Sequence, residues 1–214
     1  MRPRLIETVR VAADGGMPLL PWHVERLARS CAALGYRWPA ERVQRAVARA
    51  AAGLPEGQAH RLRLELADDG AVDIGHAVLP PLPERPRVAL APGRLDSRQP
   101  LLRHKTTFRP WYAEAAAWLD AHPDHFDLIY LNERGECCEG SRSNLYLRLD
   151  GRWYTPPLEC GALPGVQRAA LLDDEAVEER VLTAADLQAA DAVRLSNALR
   201  GWFDVKLHEA SPIA

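Results

Sequence analysis

An alternating run near residue 60 places the strongest constraint on the fold. HRLRLELADDGAVDIGHAVL, residues 60–79, alternates polar and apolar side chains on both sides of Asp69-Gly70. Such alternation is typical of a strand with one buried face, and an Asp-Gly pair between two alternating runs predicts a β-hairpin. The chain therefore contains an antiparallel sheet.

Further elements are predicted before and after this hairpin. LIETVRV, residues 5–11, followed by ADGGMPLL, residues 13–20, predicts a strand, a glycine turn and a second strand. Residues 21–36 carry apolar side chains at helical spacing with Gly35 as the stop signal, and residues 39–54 predict a second helix. RPRVALA, residues 85–91, predicts another strand. The N-terminal half is therefore an antiparallel sheet with two helices, an α+β pattern.

The C-terminal half mixes short strands and helices. Residues 91–107 have scattered glycine, proline and polar residues and predict a linker. A helical run over 110–122 precedes β-like runs that begin with FDLIYLN, and a helix is predicted to start near Gly165. We therefore predict two sub-domains, an N-terminal one over residues 1–98 and a C-terminal one over residues 99–214.

The composition excludes several classes of protein. The net charge is -2, and the chain has no basic stripe, which argues against a nucleic-acid or membrane-surface partner. The sequence contains no run of about 18 or more apolar residues, so no membrane helix is predicted. The N-terminus has no cleavable signal pattern. The four cysteines contain no C-x-x-C pair, so no metal site is expected. A reducing cytoplasm fits this cysteine usage.

Lys105 has an unusual context in the composition. The chain has 27 lysines and arginines, of which only Lys105 and Lys206 are lysines. Arginine stays protonated, whereas lysine can become a neutral amine that acts as a base or a Schiff-base nucleophile. The alternative is that Lys105 is an ordinary surface charge. Position 105 is therefore a candidate for imine chemistry.

Other segments would complement an imine-forming lysine if the ligand were an aromatic phosphate. The loop ECCEGSRSN carries Glu136 and Glu139, either of which could accept a hydrogen bond from a protonated ring nitrogen. LPGVQR and SNALRG offer successive backbone N–H groups that could bind a phosphate, and Arg26 could add a forked contact. Taken singly, each of these features has an ordinary structural explanation as a turn residue or surface charge.

Together, their order and spacing resemble a known family. HVERLARSCAALGY, HKTTFR, NERGECCEGSRSNLYL, LPGVQR and SNALRG resemble the fold-type IV, pyridoxal-phosphate-dependent class IV aminotransferases. That group includes branched-chain and D-amino acid aminotransferases and aminodeoxychorismate lyase. The resemblance covers residues 5 to 207, and its most specific parts are E-G-x-x-x-N, with Glu139 and Asn144, and L-P-G-x-x-R. It implies a D-amino acid aminotransferase-like fold with an N-terminal α/β sandwich and a β-barrel-like C-terminal domain.

The resemblance also implies roles for individual residues around pyridoxal 5'-phosphate. Lys105 would be the Schiff-base lysine and, once released, the acid–base group. Glu139 would keep the pyridine nitrogen protonated so that the ring acts as an electron sink. The phosphate would be bound by the side chain of Arg26 and by the backbone N–H groups of Val166, Gln167, Asn197 and Ala198. The family more often has Ser or Thr at position 198, so a hydroxyl contact is absent here.

The substrate side is less specific. By the resemblance, Thr8 and Arg10 lie on the strand that lines the substrate. HKTT followed by Arg109 and Tyr112 is similar to the lyase branch, and Arg109 is a candidate substrate contact. Family members usually begin about twenty residues earlier, with a hairpin that walls the pocket. This difference also favours the lyase branch.

The resemblance gives two enzyme hypotheses. The first is a lyase that converts 4-amino-4-deoxychorismate to 4-aminobenzoate and pyruvate for folate synthesis. The second is an aminotransferase of the branched-chain or D-amino acid type. A catalytically silent relative that only binds partners is a third reading. The family further implies a homodimer, and the lyase reading implies a functional link to an aminodeoxychorismate synthase.

Overall fold

The chain forms two compact units. The computed structural model describes residues 2–84 and 86–208. Unit 1 consists of residues 2–81 together with His104–Phe108, and unit 2 consists of the remaining described residues. The polypeptide therefore returns to unit 1 for five residues in mid-chain, and this short return contains Lys105.

Unit 1 is a three-stranded antiparallel sheet with two helices. Its elements are β1 (Leu5–Val11), α1 (Leu20–Leu34), α2 (Ala40–Ala52), β2 (His60–Leu66) and β3 (Val72–Val78). The strand order is β1-β2-β3, and both pairings are antiparallel. The hairpin, both helices and the first strand are thus confirmed.

The strand predicted after the glycine turn is wrong. Residues 12–19 form turns, because the N–H of Ala12 donates to the carbonyl of Gly16 and the N–H of Gly15 donates to the carbonyl of Ala12. The chain then enters α1 directly, and β1 takes β2 as its antiparallel partner. Residue alternation shows that β1 is a strand but does not identify the strand that pairs with it.

The core of unit 1 lies between its sheet and its helices. Alternate residues of β1 and β2 point to one face, and this face packs against apolar residues at helical spacing in α1 and α2. The buried members of the cluster are Leu5, Val9, Val11, Leu27, Cys31, Tyr36, Val43, Val47, Leu62, Leu64 and Leu66. Burial of this apolar surface is the main stabilising contribution to unit 1.

Unit 2 is built on eight strands. They are β4 (Arg87–Leu95), β5 (His125–Asn132), β6 (Cys137–Gly140), β7 (Asn144–Leu149), β8 (Arg152–Thr155), β9 (Glu178–Glu179), β10 (Ala192–Asn197) and β11 (Gly201–Leu207). The helices are α3 (Ala113–Ala121), α4 (Val166–Asp173) and α5 (Ala184–Ala189). Short 3-10 turns cover Pro100–Arg103, Pro110–Tyr112 and Leu158–Cys160.

The sheet of unit 2 closes on itself. Its order is β10-β11-β4-β5-β6-β7-β8-β9, and β10 also pairs with β7. Six strands therefore form a ring from β10 to β7, and β8 and β9 extend it at one side. Ile129, Leu145, Leu147, Leu182 and Leu195 are fully buried in the principal core of this unit. Closure removes most exposed sheet edges, which otherwise invite aggregation.

The division of the chain differs from the predicted boundary between residues 98 and 99. The strand predicted over residues 85–91 is observed as β4, but it belongs to unit 2, where it pairs in parallel with β5 and β11. Residues 104–108 belong to unit 1, because the N–H of Ile6 donates to the carbonyl of Lys105 at 2.7 Å and Leu5 forms a bridge with Thr106. Unit 2 therefore does not contain Lys105, although the predicted C-terminal sub-domain included it.

A matched pair of helix-end glycines gives a test of this fold. Gly35 ends α1 in the left-handed region at φ 64°, whereas Gly53 ends α2 at φ -91°. An alanine at position 35 must adopt a conformation that costs an L-residue about 1–2 kcal/mol. We expect Gly35→Ala to lower the free energy of unfolding in urea by about 1 kcal/mol. Gly53→Ala should leave it unchanged or slightly raised, and equal effects of the two changes would contradict this assignment.

Candidate active site

In unit 1, Lys105 lies beside the edge strand β1. Its carbonyl accepts the hydrogen bond from Ile6, and the following Thr107 donates its N–H to the carbonyl of Arg4 at 2.9 Å. On the other side of Lys105, Nδ1 of His104 lies 3.0 Å from the hydroxyl oxygen of Ser30 on α1. The backbone around Lys105 is therefore fixed to both β1 and α1 of this unit.

The two predicted substrate residues lie on one face of β1. Thr8 is partly exposed and Arg10 is exposed, while the alternating residues Glu7 and Val9 are buried. Because successive strand residues point to opposite faces, Thr8 and Arg10 face away from the core of unit 1. Their assignment to substrate stays a prediction.

Arg26, the predicted phosphate-binding residue, is in a buried ion pair. Its Nε donates to Oε1 of Glu7 at 2.9 Å, and its second terminal nitrogen donates to Oε2 of the same carboxylate at 2.5 Å. Nδ1 of His23 lies 2.5 Å from Oε2 as well. All three residues are at most 5% exposed. Such a forked pair fixes the plane of the guanidinium.

This pairing determines the ionisation of Glu7. Burial by itself would raise the pKa of the Glu7 carboxyl. The charge of Arg26 and the hydrogen bonds from His23 and Arg26 act in the opposite direction and lower this pKa to about 2. Glu7 is therefore a carboxylate at neutral pH. Sequence reasoning missed Glu7 and His23, although His23 and Arg26 are spaced by three residues and so share one helix face.

In unit 2, the carboxylate of Glu139 is buried and held by polar groups. It is 4% exposed and lies in β6. Oε1 accepts a hydrogen bond from the hydroxyl of Tyr112 at 2.6 Å, and Oε2 accepts one from the N–H of Leu163 at 2.9 Å. The amide nitrogen of Asn144 lies 3.4 Å from Oε2. These three donors are neutral groups that orient the carboxylate.

Tyr112 remains a hydrogen-bond donor. Burial and the neighbouring Glu139 carboxylate raise the pKa of its phenol well above the usual value. Its ring packs edge-on against Tyr130, with centroids 5.0 Å apart, and the guanidinium of Arg109 lies 4.5 Å from the ring centroid. The sequence indicated Tyr112 only as a motif residue, and its contact with Glu139 comes from the structure.

The predicted phosphate helix begins where expected. Gly165 is the residue before α4, so Val166 and Gln167 provide the first helical N–H groups, which have no partner within a helix. A Cβ on Gly165 would lie 1.9 Å from Oδ1 of Asn144. Glycine is therefore required here, because the start of α4 approaches the side chain of Asn144 closely.

The second predicted phosphate turn joins β10 to β11. Oδ1 of Asn197 accepts hydrogen bonds from the N–H groups of Leu199 and Arg200, at 3.1 and 3.0 Å. Its amide nitrogen donates to the carbonyl of Arg142 at 3.3 Å. The side chain of Asn197 thus shapes the turn that contains Ala198 and ties it to the loop after Glu139. The proposed phosphate contact of this turn stays a prediction.

Cys137 and Cys138 lie beside Glu139 but are poor candidates for chemistry. Both are free thiols and at most 1% exposed. Burial raises the pKa of Cys137 to about 12 and that of Cys138 further. Thiols in this state are weak nucleophiles, and packing accounts for both residues.

The described residues, 2–84 and 86–208, contain neither a candidate metal site nor a candidate membrane-spanning helix. Within them, no group of three or more His, Cys, Asp or Glu residues could hold a metal ion. None of their helices is both long enough and apolar enough to cross a bilayer.

Comparison with known proteins identifies the family. A family model described as amino-transferase class IV matches residues 4–207. A provisionally named aminodeoxychorismate lyase of Schizosaccharomyces pombe is 30% identical over 193 residues, covering 87% of this chain and 83% of that protein. The structure of a provisionally named amino-acid aminotransferase of Mesorhizobium loti has a TM-score of 0.89 and 36% identity, with 97% of this chain and 100% of that chain covered. A 4-amino-4-deoxychorismate lyase of Pseudomonas aeruginosa has a TM-score of 0.80 and 26% identity, with 96% and 83% covered.

The fold and these matches define a pyridoxal-phosphate-dependent enzyme. The chain belongs to the class IV aminotransferase family, because the family model covers nearly its whole length. The α+β prediction with a barrel-like domain and a D-amino acid aminotransferase-like fold is confirmed.

The residues of unit 2 fit the charged parts of pyridoxal phosphate. The buried carboxylate of Glu139 is an acceptor suited to a protonated ring nitrogen. The start of α4 offers N–H groups suited to a phosphate, and Gly165 lets this backbone come close to Asn144. In unit 1, Lys105 supplies an amine of the type that forms imines. Each contact of these residues with the cofactor stays a proposal.

The buried carboxylate of Glu7 predicts a pH-dependent stability. An unperturbed glutamate has a pKa of 4.5, whereas the pKa of Glu7 in the folded protein is about 2. A lowered folded pKa stabilises the protein above the unfolded pKa, and this stabilisation is lost as the pH falls from about 4.5 to about 2. At about 1.36 kcal/mol per pH unit, the loss is on the order of 3 kcal/mol.

We therefore expect Glu7→Gln to lower the free energy of unfolding at pH 7 by about 3 kcal/mol. Its difference from the parent protein should shrink as the pH falls toward 2, because the parent carboxylate is then protonated. Urea titrations at several pH values measure both effects. Glu41→Gln is the control, since Glu41 forms an exposed pair with Arg45 that contributes less than about 1 kcal/mol. A pH-independent difference for Glu7→Gln would contradict the assignment.

Proposed function

We propose that this enzyme is a 4-amino-4-deoxychorismate lyase that releases 4-aminobenzoate and pyruvate. The observation that carries the proposal is the similarity to the Schizosaccharomyces pombe relative, which spans 87% of the chain. HKTT followed by Arg109 and Tyr112, the feature that is similar to the lyase branch, adds support. The proposal includes a homodimer that works in the cytoplasm, with a functional link to an aminodeoxychorismate synthase.

In this proposal, three groups of residues bind different parts of the cofactor. Lys105 would bond to its aldehyde carbon, Glu139 would accept a hydrogen bond from its ring nitrogen, and Arg26 with the N–H groups of Val166 and Gln167 would hold its phosphate. Asn197 and Ala198 supply the second phosphate turn. When bound, the cofactor provides an electron sink for the electron pair of the bond that breaks.

The residues of the chain move the protons. With the cofactor bound, the amine of Lys105 would accept the proton of the substrate carbon that bears the amine and would return it to the departing pyruvate group. Glu139 keeps the ring nitrogen protonated, because a charged carboxylate favours a cation beside it. Tyr112 and Leu163 fix Glu139 for this task through their hydrogen bonds. Thr8, Arg10 and Arg109 are the proposed contacts for the substrate.

A second candidate is an amino acid aminotransferase. The Mesorhizobium loti relative favours it, because that match covers 97% of this chain and 100% of that chain with 36% identity. An aminotransferase and a lyase need the same imine-forming lysine and the same carboxylate at the ring nitrogen. They differ in whether the product needs a second substrate that is an oxo acid.

The role of Lys105 can be tested by spectroscopy with a matched control. The purified parent protein should show an absorbance band at about 410 to 430 nm, as expected of an imine-bound cofactor, and borohydride should bleach it. Lys105→Ala and Lys105→Arg should lack the band, because neither side chain can form the imine. Lys206→Ala should retain it, since Lys206 is the other lysine in the sequence. A band of parental intensity in Lys105→Ala would overturn the assignment.

The reaction itself can be tested by product analysis. With aminodeoxychorismate as the sole substrate, the lyase should release one pyruvate for each 4-aminobenzoate. An aminotransferase would release neither and would instead transfer an amino group from an amino acid to an added oxo acid. Lys105→Ala serves as the inactive control. Transfer without pyruvate release would replace the first proposal with the second.

A further inference from the structure

A buried carboxylate without an assigned role lies behind the loop that joins β6 to β7. Asp127, on β5, is fully buried. Its Oδ1 accepts hydrogen bonds from the N–H of Ser141 at 2.9 Å and from the hydroxyl of the same residue at 2.6 Å. Its Oδ2 accepts from the N–H of Arg142 at 3.1 Å and from the hydroxyl of Ser143 at 2.6 Å. Three consecutive loop residues thus donate to one side chain.

Gly140, the last residue of β6 and the residue before these three, is adapted to the same carboxylate by its size. A Cβ on Gly140 would lie 2.2 Å from Oδ2 of Asp127 and 2.6 Å from the hydroxyl oxygen of Ser143. Only glycine fits at this distance. Asp127 therefore constrains residues 140–143 through four hydrogen bonds and one close approach, together with the backbone hydrogen bonds from Gly140 to Ser143 and from Ser141 to Leu128.

The two ends of this loop are residues of the candidate active site. Glu139 precedes the loop and Asn144 follows it, and the two are paired across β6 and β7. The amide nitrogen of Asn144 donates to the carbonyl of Leu163 at 2.9 Å. Its Oδ1 would lie 1.9 Å from a Cβ on Gly165. A change in the loop would therefore displace Glu139 and the segment that leads into α4.

The carbonyl groups of the loop extend this network. The carbonyl of Ser141 accepts a hydrogen bond from Arg109 at 2.7 Å, and the carbonyl of Arg142 accepts one from Asn197 at 3.3 Å. The N–H of Arg142 and the carbonyl of Ser141 belong to one trans peptide group, so the hydrogen bond of this N–H to Asp127 directs the Ser141 carbonyl to the opposite side. Asp127 is thus connected to both the β10–β11 turn and Arg109.

We propose that Asp127 is a positioning residue for the cofactor site, acting through residues 140–143 on Glu139, Asn144 and Asn197. Asp127 does not need to contact the cofactor for this role. The inference rests on the cofactor contacts given under Proposed function but not on the choice between lyase and aminotransferase.

Asp127→Asn is a sharp test because it keeps the shape of the side chain. An amide has one acceptor oxygen and one donor nitrogen, whereas the carboxylate has two acceptor oxygens. In either orientation the amide nitrogen faces a backbone N–H, that of Ser141 or that of Arg142. One hydrogen bond becomes a contact between two donors, and the loop must move.

The measurement is a titration of the cofactor-free protein with pyridoxal phosphate, followed by absorbance. We expect Asp127→Asn to raise the Kd at least about tenfold, the effect that loss of a supporting hydrogen-bond partner has at metal sites. Thr183→Ala is the matched control, since it removes the N-terminal cap of α5 and destabilises unit 2 outside the loop. Thermal melts of both variants ensure that each is folded at the titration temperature.

A tenfold rise in Kd for Asp127→Asn, with a parental Kd for Thr183→Ala, supports the positioning role. Equal Kd values for Asp127→Asn and the parent would overturn it and leave the proposed cofactor contacts in place. Equal weakening in both variants would also overturn it, because general destabilisation would then explain the loss. A parent protein that does not bind the cofactor would overturn the cofactor contacts and this inference together.

Should Asp127→Asn fail to fold, Ser141→Ala and Ser143→Ala provide the same test. Each removes one hydroxyl donor and leaves the carboxylate and the backbone contacts intact. We expect each to raise the Kd by a smaller factor and the double variant by more than either. Parental affinity in the folded double variant would refute the proposal.

Discussion

The pairing of β10 with β7 is the constraint on which the candidate site of unit 2 depends. It closes six strands into a ring, and so brings the β10–β11 turn next to the loop between β6 and β7. Asn197 can then donate to the carbonyl of Arg142, although 55 residues separate them. Without this closure, the β10–β11 turn would have no fixed relation to Glu139 and the start of α4, which contact each other through Asn144 and Leu163. The ring also buries the leucines of the principal core, so the same packing that stabilises the unit assembles the site.

Three buried carboxylates of this chain differ in the groups that surround them. Glu7 lies beside the cation Arg26, and its pKa is lowered to about 2. Asp127 is held by backbone N–H groups and hydroxyls, which do not fully offset burial, and its pKa is raised. Glu139 receives hydrogen bonds from a tyrosine, an asparagine and a backbone N–H. Burial of an ion is costly unless charge or hydrogen bonds compensate. Glu7 stabilises the folded protein, Asp127 shapes the loop between β6 and β7, and Glu139 suits a cationic ring.

The similarity of the two enzyme hypotheses has a chemical basis. A lyase and an aminotransferase of this family share the cofactor, the imine-forming lysine and the carboxylate at the ring nitrogen, and the motifs that identify the family encode these shared parts. The substrate contacts decide the reaction. In this chain they are proposed for Thr8, Arg10 and Arg109, whose residue types do not by themselves distinguish the two reactions. Family membership therefore fixes the cofactor more firmly than the substrate.

The sequence by itself determined the local elements and the chemical type of the protein. Alternation and helical spacing identified the hairpin, both helices of unit 1 and the start of α4 near Gly165, because these features depend on neighbouring residues. Lys105 and the motifs that resemble the family indicated the cofactor, because its chemistry requires particular residue types. Tertiary structure decided which strands pair, so β4 lies in unit 2 and residues 104–108 lie in unit 1. It also decided the partners of the buried charges, such as Glu7 for Arg26 and Asp127 for the loop after Glu139. Those contacts join residues far apart in the chain, and no local pattern records them.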